Sequence, residues 1–405
     1  MKKLLEISLG IVTSVGGFLE IGSIATAAQA GADFGFQLIW AVLLGGLCVI
    51  FLVEQGGRLS AISGHTVTGA IRERFGFNYF ILLFIILSAV TLLVLSAELG
   101  GVCIALEMST GIRFQLWAIP VALVIWLILW KGTFGVIEKG ISILGLVTIS
   151  FIVGAVVMKP NWRSVLSGAV PSLPTSEKSH YWFSAVSILG ASISPYLYLF
   201  YSSGAIEDEW DEGYIGVNRV IASFGMSFGS LISVAVLILG ALVFPPRGLH
   251  ADQYSQLALL MQDAFGHTGF IFFVLSLGIS CLGAALEITL QMAYFAAQGF
   301  GWNWSENLPP KKEARFSLTY TIVVILAMLL VLTGIDPLQL TIISMALTAA
   351  TLPLSTVPFL ILMNDRKYLA NSRNGWFSNA VVIVIITVAF VLAIVSIPLQ
   401  ILGGS

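Results

Sequence analysis

Along the 405-residue chain, long apolar runs alternate with short polar interruptions. Hydropathy and turn residues together predict eleven helical segments, at about 9–32, 36–54, 77–106, 114–130, 136–158, 180–203, 217–244, 268–298, 316–334, 337–362 and 376–401. Each reaches the roughly 17 residues that an α-helix needs to cross a bilayer core. The third and eighth are long enough to tilt or protrude. No long polar region separates the segments, so the pattern predicts an all-α integral membrane protein with one transmembrane domain over 1–405.

Composition agrees. The chain is 58% hydrophobic and only 10% charged, against roughly 25% charged residues in soluble proteins. Its 19 basic and 21 acidic side chains leave no basic footprint for a nucleic acid. Cys48, Cys103 and Cys281 lie in apolar segments without metal-ligand or disulfide spacing, as small hydrophobes do. His65, His180, His250 and His267 fall in loops or at span ends with no ligand spacing. There is no nucleophile elbow, phosphate loop or zinc pattern, so neither an enzyme nor a resident cofactor is expected.

Lys2 and Lys3 followed by an apolar run and an Ala-rich stretch at 25–32 superficially resemble a secretory signal. The run is too long and carries Glu20, so it reads as a span rather than a cleaved leader. With the N-terminus inside, 14 of the 19 Lys and Arg residues fall on the cytoplasmic side and 5 outside. That bias orients the chain in the plasma (inner) membrane with its N-terminus cytoplasmic and, after eleven spans, its C-terminus outside. Glu207, Asp208, Glu209, Asp211 and Glu212 crowd one internal loop and read as a solvated stretch.

One position breaks the apolar pattern where it matters. Glu20 sits inside the first segment, between Gly16, Gly17 and Gly22. A carboxylate at mid-bilayer costs on the order of a few kcal/mol or more and marks a functional site by default. The glycines weaken the helix beside it, and broken helix at membrane depth is tolerated where it lines a cavity. The sixth segment has a matching flaw at Gly190 and Pro195. Paired interruptions in two five-span halves point to an inverted-repeat transporter with its site at the two breaks. The halves are repeat one at about 9–158 and repeat two at about 180–362, with an additional helix at about 376–401.

Several stretches resemble the Nramp divalent-metal transporters. Ile24-Ala25-Thr26-Ala27-Ala28-Gln29-Ala30-Gly31 is similar to the segment after their first-helix break, Ile71-Arg72-Glu73-Arg74-Phe75-Gly76 to their first intracellular loop, and Ala97-Glu98-Leu99-Gly100-Gly101 to their third helix. Gly190-Ala191-Ser192-Ile193-Ser194-Pro195-Tyr196 resembles their broken sixth helix, and Asn364-Asp365-Arg366-Lys367 the loop after their tenth. The resemblance covers essentially the whole chain and implies a LeuT-like fold of five plus five helices with an eleventh.

The family's metal site is altered. Its Asp-Pro-Gly-Asn reads Glu20-Ile21-Gly22-Ser23 here, and its Met-Pro-His reads Ser194-Pro195-Tyr196. A tenth-helix Gln becomes Thr351, and an acid one turn before Glu98 becomes Leu95, although Glu98 itself matches. The resemblance therefore implies a substrate site of Glu20, Ser23, the Ala191 carbonyl, Ser194, Tyr196 and Thr351. Of these, Glu20, Ser23, Ala191 and Ser194 would be the metal ligands if a metal binds. Such hard oxygens suit Mg²⁺, which keeps several waters, better than Mn or Fe. Two other readings stay open: an ion-coupled carrier of a small anion or organic solute using helix N-termini and hydroxyls, and a non-transporting sensor. Glu98 and Glu287, the latter with Gln291 one turn on, are candidates for coupling or gating, with H⁺ or Na⁺ as coupling ion. The expected partners are the bilayer and a small ion or solute.

Overall fold

A computed structural model describes residues 20–131, 140–141, 143–172, 178–251, 253–306 and 310–401. Gly16, Gly17 and the first half of the first span (9–19) lie outside the described residues, as do 136–139 and 142 of the fifth. Among the described residues there is no strand. Eight helices are long and apolar enough to span a membrane. Phe114–Trp130 and Ile143–Val157 are shorter apolar helices at the fourth and fifth spans, and Ile21–Phe34 is the second half of the first.

The third and eighth spans, Phe77–Thr110 and His267–Phe300, have 34 residues each. At 1.5 Å rise per residue each is about 51 Å long, well beyond a hydrocarbon core of about 30 Å. The sequence reading ended the second span at 54, but the helix runs over Ile39–Ser63. Its polar extension is stabilised by partners that hydropathy does not register. Arg58 Nε binds Glu54 at 3.0 Å, its Nη2 donates to Asn374 Oδ1 at 2.7 Å, and Asn218 donates to the Glu54 carbonyl at 2.9 Å.

The third span packs along the eighth and tenth, the seventh along the first and second, and the eleventh against the sixth and tenth at the periphery. Small residues set the closest approaches, as is usual between membrane helices. A Cβ at Gly31 would overlap the Leu237 carbonyl, and one at Gly240 would overlap the Ala28 carbonyl, so the first and seventh spans meet backbone to backbone. A Cβ at Gly190 would likewise strike the Met345 carbonyl on the tenth span.

Outside the membrane, the helix Val67–Phe75 is tied to the loop after the tenth span by Lys367–Glu73 and Arg74–Asp365 pairs. Hydrogen bonding to the Lys367 ammonium holds the Glu73 carboxyl below its ordinary range, and the Lys367 backbone amide does the same for Asp365. Whatever stability these pairs add is therefore present above the ordinary carboxylate pKa and is lost as acid titrates the lowered values; exposure keeps it small.

Gly240→Val should destabilise the fold by about 1–3 kcal/mol, the usual cost of overpacking. Gly216, on the same helix, has open space around its Cβ position, so Gly216→Ala should leave melting in detergent unchanged or slightly raised. Equal melting temperatures for Gly240→Val and wild type would show that the first and seventh spans are not in backbone contact.

Candidate functional site

The helix Ile21–Phe34 of the first span begins with Glu20 at its N-cap in extended backbone (φ −100°, ψ 167°). The Glu20 carbonyl begins the helix, accepting from the Ser23 and Ile24 amides at 3.1 and 3.4 Å. A typical N-cap side chain folds back onto its own helix. That of Glu20 does not. It reaches the sixth span, where Ser194 Oγ donates to Oε1 at 3.2 Å and the Tyr196 hydroxyl donates to Oε2 at 2.9 Å. The vacated capping role falls to the third span: Glu98 Oε1 accepts the Ile21 N–H at 3.0 Å. A carboxylate there also suits the positive end of the helix dipole. Glu20 and Glu98 are both fully buried, and Glu98 Oε2 has no protein partner among the described residues.

The sixth span is interrupted in the same layer. Its first helix, Lys178–Ser192, stops short of Ser194, and the second, Pro195–Glu207, starts on a proline at N1. Proline has no N–H, so the donor that a continuous helix would supply to the Ala191 carbonyl does not exist. Ser194 Oγ also lies 3.2 Å from the Gly190 carbonyl.

The residues expected from sequence are brought together to different degrees. Glu20, Ser194 and Tyr196 are in direct contact, with Glu98 adjoining through Ile21. Thr351 shares a small cavity of about 10 Å³ with Ser194, Tyr196 and Thr348, room for about one water. Ser23 and Ala191 are buried at the two helix ends. Glu287 is 5% exposed on the eighth span, and its charge, with those of Glu20 and Glu98, acts on the Tyr196 hydroxyl. Thr26 and Ser192 bond back to the Gly22 and Ile188 carbonyls at 2.7 and 2.9 Å, one turn earlier in their own helices. Among the described residues no three His, Cys, Asp or Glu side chains gather into a metal cage.

Other neighbours escaped the sequence reading. The Met345 thioether of the tenth span packs on Gly22, and Cys281 packs on Gly101 next to Glu98. Spacing along the chain carried no sign of either. The histidines judged to be without ligand spacing also find a partner. Asp33, at the end of the first span, is bracketed by His180 Nε2 at 3.0 Å and His250 Nδ1 at 3.1 Å. The acidic loop is not solvated throughout either. Glu207 accepts from Ser305 Oγ and the Glu306 amide, both at 3.0 Å.

Residues 10–398 match the family model described as natural resistance-associated macrophage protein-like, Nramp. The chain belongs to the Nramp family. Among solved structures it is similar to the Eremococcus coleocola manganese transporter bound to an aromatic bis-isothiourea compound. The likeness has a TM-score of 0.80 and 20% identity, covering 98% of this chain and 87% of that one. It also resembles Mhp1, a nucleobase-cation-symport-1 transporter with bromovinylhydantoin bound (TM-score 0.65, 12% identity, 96% and 91% covered). A third likeness is to MhsT with L-phenylalanine (TM-score 0.61, 14% identity, 96% and 97% covered). At these identities the likenesses establish the fold: the Nramp protein described here is an all-α integral membrane transporter of LeuT-like architecture.

Glu98→Gln keeps an oxygen acceptor for the Ile21 N–H, whereas Glu98→Leu removes it. Hydrogen exchange at residues 21–24 should stay near wild type in the first variant and speed up at least tenfold in the second. Equal protection in both would mean that the third-span cap does not hold the helix start.

Proposed function

We propose that this Nramp protein carries a hard divalent cation such as Mg²⁺ across the plasma membrane, in preference to Mn²⁺ or Fe²⁺. The observation that carries the reading is how the polar groups at the two breaks are engaged. An anion would need donors, and the strongest candidates already serve the protein's own carboxylates: Ile21 N–H on Glu98, and the Ser194 and Tyr196 hydroxyls on Glu20. Thr26 and Ser192 donate to their own helices. The breaks also present acceptor oxygen to a guest, from the Glu20 carboxylate, the Ala191 carbonyl and the hydroxyls of Ser194 and Thr351.

Charge supports the same reading. Glu20, Glu98 and Glu287 are all buried, and Arg58 is the only buried basic side chain among the described residues. Arg58 pairs with Glu54. Ionised carboxylates gathered at membrane depth need a cation or protons to offset their desolvation. The atoms touching the Glu20 carboxylate are oxygens, and Mg²⁺ is suited by few protein ligands and retained waters. Glu98 and Glu287 are the candidates for carrying the coupling H⁺ or responding to Na⁺. The Lys and Arg distribution supports a cytoplasmic N-terminus and an outer C-terminus.

Two measurements test this. In proteoliposomes, Glu20→Gln should reduce Mg²⁺ uptake more than a hundredfold while the protein stays folded. Uptake by the wild type should fall as acid protonates its ligand carboxylate. Wild-type rate and pH response in Glu20→Gln would make the carboxylate structural and favour an anion cargo. By calorimetry, Mn²⁺ should bind within about tenfold of Mg²⁺, and Met345→Leu should change neither. Submicromolar Mn²⁺ binding with none for Mg²⁺, lost in Met345→Leu, would make the thioether a ligand and overturn the preference.

A further inference from the structure

Below Tyr196 the eighth span carries a polar stripe that the binding site does not use. Glu287, Gln291, Tyr294 and Gln298 stand at i, i+4, i+7 and i+11, one face of an α-helix, and none is more than 6% exposed. The eighth span packs against the second helix of the sixth, which carries Tyr196 at its start. At the lower end, the Tyr294 hydroxyl lies 3.0 Å from Glu306 Oε2 and 3.3 Å from Glu207 Oε1. Gln298 Nε2 binds Ser203 Oγ at 2.9 Å on the second helix of the sixth span, while its Oε1 has no partner.

Gln291 is the anomaly. It is 2% exposed, and among the described residues neither its amide nitrogen nor its oxygen has a hydrogen-bond partner. An unmade hydrogen bond on a buried polar group is costly, and a Leu of similar size would fill the space without that cost. An amide kept there at a penalty is suited to a guest that is not always present.

We propose that Glu287 and Gln291 form a second station for a hydrated cation. The station lies on a path that runs from the Glu20 site down the eighth span to a gate made by Tyr294, Glu207 and Glu306. The chemistry is that of a small cation with its waters. Glu287 offers charge, the Gln291 amide oxygen accepts from coordinated water, and the amide hydrogens suit a carboxylate or water oxygen. Gln298 continues the lining. At the exit, one tyrosine hydroxyl stands between two carboxylates, which attract an arriving cation and part when it binds them. Glu207 also holds the Ser305 hydroxyl and the Glu306 amide, so this gate joins the end of the sixth span to the loop after the eighth. The proposal rests on the cation reading of the Glu20 site.

The test uses the full-length protein in proteoliposomes with Mg²⁺ as probe. Gln291→Leu should lower Mg²⁺ uptake more than tenfold, remove the weaker of two Mg²⁺-binding events seen by calorimetry while leaving the tighter one, and melt no lower than wild type. A smaller loss of uptake overturns the path. A second, independent readout is labelling of Gln291→Cys by a cationic methanethiosulfonate, with the wild type's buried Cys48, Cys103 and Cys281 as background. Labelling should occur from the side bearing Glu207 and speed up when Tyr294→Phe is added. A thiol that stays unreactive while the protein transports also overturns it. If wild type binds no Mg²⁺, or Glu20→Gln binds and transports it normally, the cation reading fails instead, whatever Gln291→Cys does.

Discussion

A peptide group inside a bilayer must find its hydrogen bond within the protein, and the helix start at Ile21 and the interruption in the sixth span expose such groups. The arrangement depends on how they are satisfied. At the first break the third span lends Glu98 to the Ile21 N–H. This frees the N-cap residue, Glu20, from serving its own helix, and its carboxylate turns across to the sixth span. At the second break proline removes a donor instead of leaving one orphaned. The two solutions are opposite in sign: one helix start is closed with a negative group, and the other withholds the N–H that the Ala191 carbonyl would meet in a continuous helix. Both make the intervening space rich in acceptors.

Much of this was legible in the sequence. Eleven apolar segments, the glycines around Glu20 and the Gly190/Pro195 pair point to Glu20 and to the break that lies between Ser192 and Pro195, because bilayer thickness and helix breaking act locally on the chain. The contact between Glu20 and Ser194, 174 residues apart, follows once the breaks are taken as paired. What hydropathy missed were polar residues satisfied by distant partners. The second span continues through Glu54 and Arg58 because Asn218 and Asn374 meet them. The Asp33 cluster joins residues separated by 147 and 217 positions. Glu98 was singled out for proton or gate chemistry, yet its most direct contact is structural, a helix cap. Met345 was invisible for a plainer reason: a methionine in an apolar helix looks like any other core residue until its neighbours are known.

Relative to the pattern its family resemblance implies, the chain exchanges a thioether and an imidazole for a serine and a tyrosine. The consequence goes beyond ligand softness. Both hydroxyls donate to Glu20, and on the proposed reading they would turn their lone pairs toward a bound cation. A thioether has no proton to donate. The carboxylate is thus hydrogen-bonded in place, and the proposed cation would exchange those bonds for coordination.

Two polar clasps of like design stand at helix ends away from Glu20 and Ser194. On one side Asp33 gathers two histidines from the start of the sixth span and the loop after the seventh. On the other, Tyr294 stands between Glu207 and Glu306. Each clasp joins a half of an interrupted span to a loop belonging to another helix, so each ties a broken helix to its surroundings at the end far from the break. Proline removes one backbone hydrogen bond at the break of the sixth span, so contacts at the far ends of its halves bear more of what holds them in place. Polar contacts there are the ones a cation or proton can exchange at small cost, whereas Gly31–Leu237 and Gly240–Ala28 backbone packing cannot separate without opening voids. Backbone contact therefore fixes which helices stay together, and on the reading proposed above the exchangeable polar clasps are where the protein would open.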